Sequence, residues 1–136
     1  MSKKIILPGL VAGVVLLVLS IVGLYATILL FPGLAVQYFD PTFDAQSERY
    51  LLYFAHPFIV GLALSWFWDR FKGILKGSFL GRGIEFGMAY ALVAVFPMMW
   101  LIYSAINVSL ALVVSWLLFG ILQGVAAGLI FGKMNA

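Results

Sequence analysis

The stretch GILQGVAAGLIFG, residues 120–132, carries a glycine at every fourth position: Gly120, Gly124, Gly128 and Gly132. In water, glycine is about 1 kcal/mol less favourable in a helix than alanine, so such a row needs a cause other than helix propensity. Residues four apart share one face of a helix, and helices in lipid associate by close packing at small residues. The row therefore predicts a close-packed face on a membrane helix.

The composition of the chain indicates an integral membrane protein. Its 136 residues are 65% hydrophobic and 10% charged, whereas a soluble domain is nearer half apolar and a quarter charged. The chain has no cysteine and one histidine, which excludes disulfides, thiolate chemistry and a multi-histidine metal cage. We predict no metal site and no cofactor, although a bound lipid would be compatible with the sequence. The net charge of +3 is interpreted as a signal of membrane orientation, not of nucleic-acid binding.

Four segments are long enough to cross a bilayer, which takes about 20 mainly apolar residues. In chain order, the segments are the first span 6–31, the outer loop 32–49, the second span 50–68, the inner basic loop 69–83, the third span 84–105 and the fourth span 108–131. The fold predicted for residues 1–136 is a single domain, an all-α transmembrane bundle of four helices.

The basic residues predict the orientation of this bundle. Of the eight Lys and Arg residues, all but Arg49 lie near the termini or in the inner loop. Basic residues on short loops concentrate on the cytoplasmic side, so both termini are predicted to be cytoplasmic, in the plasma (inner) membrane. Trp66 and Trp68 would lie in an interfacial belt. The outer loop mixes aromatic residues with acids, among them Asp44 and Glu48, which suggests a segment on the membrane surface or, alternatively, a lid.

The third span repeats the spacing of the glycine row at Gly83, Gly87 and Ala91. A very short turn near Asn107 joins the third and fourth spans, which predicts a close-packed antiparallel hairpin. Val95 continues this spacing. If both arms rise equally from that turn, the predicted pairs are Gly83 with Gly132, Gly87 with Gly128, Ala91 with Gly124, and Val95 with Gly120.

The sequence is compatible with two other uses of the glycine row. It could pack against another subunit, because repeated GxxxG is a dimerisation face, or it could hold the tail of a lipid or cofactor. Gly9 and Gly13 form another GxxxG in the first span, and Gly61 with Ser65 forms a weaker version in the second.

Polar side chains at membrane depth are costly, so each is a functional candidate. His56 precedes Pro57, which predicts a helix kink; the imidazole could serve a proton path, a ligand site, a gate or haem ligation, or simply bond to a neighbouring helix. Gln123 and Tyr90 fall at nearly equal depth, which favours a hydrogen bond between them over substrate contact.

Arg82 and Glu85 have the i, i+3 spacing that lets opposite charges meet on a helix. We expect an interfacial ion pair, with a coupling carboxylate open to the cytoplasm as the alternative for Glu85.

No motif for catalysis is present: the chain has no HExxH, no GxSxG and no paired membrane carboxylates. The sequence favours a non-enzymatic membrane protein that acts through helix packing, as an accessory subunit of a larger membrane complex or as a homo-oligomer. Its expected partners are membrane lipids and either other copies of itself or that complex. The alternatives are a small transporter or channel with a polar path near His56 and Gln123, and a lipid- or quinone-handling membrane enzyme.

Overall fold

A computed structural model of the chain describes residues 2–43 and 49–136, so Asp44 and Glu48 of the outer loop lie outside the described residues. The predicted all-helical class is confirmed, with four helices long and apolar enough to cross a membrane. The helices are α1 (Lys3–Leu30), α2 (Pro32–Ala35), α3 (Tyr50–Phe71), α4 (Phe79–Tyr90), α5 (Phe96–Ala105) and α6 (Leu110–Met134).

The third span is a helix in two parts, α4 and α5, joined by one wide π turn at Ala91–Val95. Ser78 caps the start of α4 by accepting a hydrogen bond from the backbone N–H of Gly81, so this helix begins earlier than the sequence indicated. Pro97 lies two residues after the wide turn and has no N–H to donate to the preceding turn. A π turn next to such a residue is one of the known ways in which a long helix bends.

The bundle has two ends, a basal end and an apical end. α1 and α4 begin, and α3 and α6 end, at the basal end, where Asn135 hydrogen-bonds to Lys4 and Asp69. The opposite, apical end carries the segment Phe31–Phe43 and the connection between α5 and α6.

The glycine row of α6 lies against α4. A Cβ atom on Gly87 would meet the backbone of Val125, and one on Gly128 would meet the carbonyl oxygen of Gly83. A Cβ on Gly124 would lie 3.1 Å from the carbonyl oxygen of Gly87. The two backbones are therefore as close as residues without side chains allow.

The register of these contacts differs from the sequence prediction by about one helical turn. Gly87 lies against Gly124, not Gly128, and Gly83 lies against Gly128, not Gly132. The prediction assumed that both arms rise equally from the turn. The predicted pair of Val95 with Gly120 is found, since a Cβ on Gly120 would lie 2.6 Å from Val95 Cγ1. The shift therefore arises between Val95 and Gly87, in the stretch that contains the π turn, where each turn holds more residues than in an α-helix.

The weaker small-residue motifs of α1 and α3 meet each other. A Cβ on Gly61 would lie 2.5 Å from the carbonyl oxygen of Gly9 and 2.8 Å from the backbone N of Gly13. One turn further along α3, the Ser65 hydroxyl donates a 2.7 Å hydrogen bond to the carbonyl of Ile5. Each of the two long helix pairs is thus held by backbone approach at small residues.

A second row on α6 connects these two pairs. Ala127 and Phe131 are fully buried and lie in one hydrophobic cluster with Ala12 of α1 and with Trp68 and Phe86. The Trp68 and Phe86 rings meet edge to face with centroids 5.2 Å apart, and Phe86 meets Phe131 in the same way at 6.0 Å. The core of the bundle is therefore aromatic and lies towards the basal end.

The apical half is packed differently. No residue of α5 is buried, and none from Tyr50 to His56 in the first two turns of α3 is buried. α5 contacts α6, and Met99 and Ile102 are partly covered, but the described chain encloses no residue of these two segments.

Candidate functional site

The densest set of polar contacts surrounds Asn135 at the basal end, next to the last residue of the chain. Its side-chain oxygen accepts a hydrogen bond of 2.6 Å from Lys72 Nζ, and its amide Nδ2 donates to Asp69 Oδ1 at 2.9 Å. The same amide donates to the Lys4 carbonyl at 3.1 Å, and Trp68 Nε1 donates to the Asn135 backbone oxygen at 2.7 Å. Asn135 is 6% exposed, so one buried amide links α1, α3 and α6.

Arg82 adds α4 to this basal cluster. Its guanidinium lies over the Trp68 ring, 5.2 Å from the centroid, and Nη2 donates to the Lys72 carbonyl at 3.2 Å. The predicted Arg82–Glu85 ion pair is therefore wrong: among the described residues the ion pair is Lys72–Asp69, at 3.2 Å. Glu85 is exposed on the outside of α4, whereas Arg82 turns towards Trp68 and Lys72.

Trp68 also departs from its predicted interfacial role. It is fully buried, whereas Trp66 is 44% exposed. The two residues are two positions apart, so they point to different sides of α3. The indole of Trp68 needs a partner for its N–H when buried, and the Asn135 carbonyl supplies it.

Gln123 faces the interior of the bundle and is 7% exposed. It lies one turn before Ala127 on the α6 row that faces α1 and α3. Among the side-chain hydrogen bonds of the described residues, none joins Gln123 to Tyr90. The Tyr90 ring packs instead against the backbone at Gly124, because the register of the hairpin is shifted.

His56 is exposed on the surface of α3, and no hydrogen bond to another described residue holds it. The expectation of a bond to a neighbouring helix is not met within the described chain. α3 continues as one helix through Pro57, which is buried. His56 and Gln123 therefore face opposite environments, the first outward and the second inward.

The apical segment packs on the start of α6. Ser109 Oγ donates to Gln37 Oε1, and Trp116 Nε1 donates to the Tyr38 hydroxyl at 2.6 Å. Phe43 lies edge to face with Trp116, with centroids 6.0 Å apart. Burial raises the pKa of the Tyr38 phenol above its ordinary value, so it remains a neutral hydrogen-bonding group.

Beside these contacts lies an open depression of about 270 Å³, with polar residues on its walls. Asp40 is one of them. Its carboxylate accepts a hydrogen bond of 2.9 Å from the backbone N–H of Thr42, which lowers the pKa of Asp40 below its ordinary value. This is a local turn contact, and the carboxylate is fully exposed.

In the part of the chain that the structure describes, no group of three His, Cys, Asp or Glu residues is arranged to hold a metal ion. Asn135, Lys72 and Asp69 were not among the candidates from the sequence. Asn135 follows the last residue of α6, so the apolar periodicity of that helix does not indicate which way its side chain points. No family model, curated protein or solved structure matches this chain.

Proposed function

We propose that this chain is a non-enzymatic integral membrane protein that works by assembling with other transmembrane helices, as an accessory subunit or a homo-oligomer. The observation that carries the proposal is the contrast between a basal half closed by its own contacts and two apical segments: α5 has no buried residue, and α3 has none from Tyr50 to His56. Lipid can cover apolar helices, but a polar side chain facing lipid is costly without a partner.

The proposal includes an orientation with the basal end in the cytoplasm. Lys3, Lys4, Lys72, Lys76 and Lys133 all belong to that end of the chain or its connecting loop. Such a concentration of positive charge on short segments is typical of the cytoplasmic side, and it favours contact with anionic headgroups there.

It also includes the α4–α6 hairpin as a permanent internal contact in the membrane. The glycine faces of α6 and α4 lie against each other, and the GxxxG of α1 lies against Gly61 of α3. A partner protein would therefore contact other surfaces. Two surfaces left exposed are the outward face of α3 and much of α5, in which no residue is buried.

The polar residues support assembly better than transport or catalysis. His56 faces outward and Gln123 inward, which does not favour a common polar path. Arg82 and Glu85 diverge, so they do not form one site near the basal interface. Two other buried polar side chains, Ser65 and Asn135, form hydrogen bonds to neighbouring helices.

Native mass spectrometry of the complex, extracted under mild conditions with non-covalent passengers retained, tests the proposal. We expect a mass greater than the 14.9 kDa of one chain because of additional polypeptide. Ile59→Ala, on the outward face of α3, should reduce the assembled fraction, whereas Val22→Ala on α1 should not; the two side chains are 62% and 57% exposed. A single chain carrying only lipid would contradict the proposal.

A further inference from the structure

The outward face of α3 has the spacing of a coiled-coil seam. Leu52, His56, Ile59, Ala63 and Trp66 are separated by four, three, four and three residues, and all five are exposed. Leu52 is 68% exposed, Ile59 62% and Trp66 44%. Alternation of four and three is the spacing of the a and d positions through which two parallel helices interlock. These five residues are called the α3 seam below.

His56 is the one strongly polar side chain among the five residues of the α3 seam, at an a position of the repeat. A neutral imidazole has one hydrogen-bond donor and one acceptor, so two such rings can pair with each other. A single polar residue at an a position is known to fix the register and the number of helices in a coiled coil.

We propose that two copies of this chain pair in parallel through the α3 seam, with the two His56 side chains hydrogen-bonded to each other across the two-fold axis. This inference rests on the proposed assembly function and names its partner. Copies inserted with the same orientation have parallel α3 helices, so each residue of the seam faces its own counterpart. Ala63 lies two turns from His56 and lets the backbones approach at a small side chain.

A second copy fits this surface better than lipid or a different protein. A lipid tail provides no group to pair with His56. A different protein would need a matching polar residue at the same depth, whereas a second copy supplies it automatically. A two-fold interface of this kind uses the same patch on both subunits, and the α3 seam is one continuous patch.

Cysteine cross-linking in membranes tests the pairing, because the natural chain has no cysteine. Leu52→Cys and Ala63→Cys report on the α3 seam. Ser65 bonds to Ile5 and Gly61 meets Gly9; continued along both helices, this register places Val18 level with Leu52, and Leu7 level with Ala63. Val18→Cys and Leu7→Cys, on residues 53% and 58% exposed, are therefore controls matched for depth and exposure.

We expect disulfide-linked dimers of Leu52→Cys and Ala63→Cys to form at least about tenfold faster than those of the two α1 controls, with little change when added lipid dilutes the protein. Equal rates on α1 and α3 would indicate random collision and overturn the pairing. If the α3 variants form no dimer while native mass spectrometry shows another polypeptide, the pairing is wrong and the assembly function stands. A single chain in both experiments would overturn both.

Two substitutions of His56 test the imidazole contact itself. In a Leu52→Cys background, His56→Leu should reduce the dimer fraction about threefold, the usual effect of one hydrogen bond between membrane helices. His56→Asn should preserve the dimer, because a carboxamide also donates and accepts. Cross-linking of His56→Leu at the level of the natural residue would contradict the histidine pair.

Discussion

The basal and apical halves of this bundle both consist of apolar helices, but they are packed in different ways. In the basal half, glycines bring backbones together, Trp68, Phe86 and Phe131 fill the space between pairs, and Asn135 closes the end. In the apical half, α5 has no buried residue. Hydrophobicity alone therefore does not determine packing in a membrane protein, because lipid is as apolar as the helices.

What distinguishes the two halves is the distribution of small and hydrogen-bonding residues. Close contact follows Gly9, Gly61, Gly87 and Gly128, where a backbone carbonyl or amide can approach a neighbouring helix. From Phe96 to Ala105 the chain has no glycine, and none of its residues is buried. The basal half is thus packed within one chain, whereas α5 in the apical half is not enclosed by it.

The largest expected difference between the halves comes from removing an aromatic side chain. Phe131→Ala, at a fully buried position, should lower the free energy of unfolding by about 3 kcal/mol because it leaves a cavity in the core. Trp100→Ala, at a position 70% exposed on α5, should have almost no effect. Reversible unfolding at a high detergent-to-protein ratio measures both, and equal losses would show that the apical half is packed within the single chain.

Adding one methyl group to a glycine of α4 should have the next largest effect. Gly87→Ala places a Cβ against the backbone of Val125, so the helices must separate, at a cost of about 2 kcal/mol. Gly81→Ala in the same helix has only Ser78 Oγ at 3.6 Å nearby. It should be neutral or stabilising by up to about 1 kcal/mol. Thermal unfolding distinguishes the two, and a stable Gly87→Ala variant would contradict the close approach of α4 and α6.

Asn135→Ala tests the closure of the basal end. It removes the amide that serves Lys72, Asp69 and the Lys4 carbonyl, and groups left without partners in a buried site cost about 1–3 kcal/mol. Asn107→Ala, at the exposed apical turn, is the control and should change stability little. If the two variants unfold at the same temperature, the amide contacts of Asn135 do not hold α1, α3 and α6 together.

The smallest expected effect is a pH dependence confined to the apical segment. The Thr42 backbone hydrogen bond lowers the pKa of Asp40, so the contact is fully present above the ordinary aspartate pKa of about 3.9. It is lost as the pH falls below that value, through the lowered pKa. The chemical shift of the Thr42 amide should follow this titration, and Asp40→Asn should abolish it. A titration at or above pH 3.9 would show that the turn does not stabilise the carboxylate.

Much of the fold could be predicted from residue type and spacing. The four apolar segments indicated the helices, and the row from Gly120 to Gly132 indicated close packing. The register could not be predicted, because it depends on the π turn at Ala91–Val95. That turn changes the rise per residue within one arm of the hairpin, and no single residue type encodes it.

The polar residues were harder to place than the helices. Arg82 has Glu85 within reach along its own helix, yet the Trp68 ring and the Lys72 carbonyl provide a better-enclosed site from another helix. Asn135 follows the last turn of α6, where helical periodicity no longer indicates a face. Both contacts depend on how separate helices meet, which spacing within one helix does not specify.

The most direct measurement of the central claim is the oxygen accessibility of a nitroxide spin label in bilayers. A label at position 52 on α3 is compared with one at position 18 on α1, in otherwise cysteine-free chains. In the isolated chain Leu52 is more exposed than Val18, 68% against 53%. If protein covers the α3 seam in the membrane, the label at position 52 will be several-fold less accessible to oxygen than the label at position 18. Equal or greater accessibility at position 52 would show that lipid covers this face, and would contradict assembly through it.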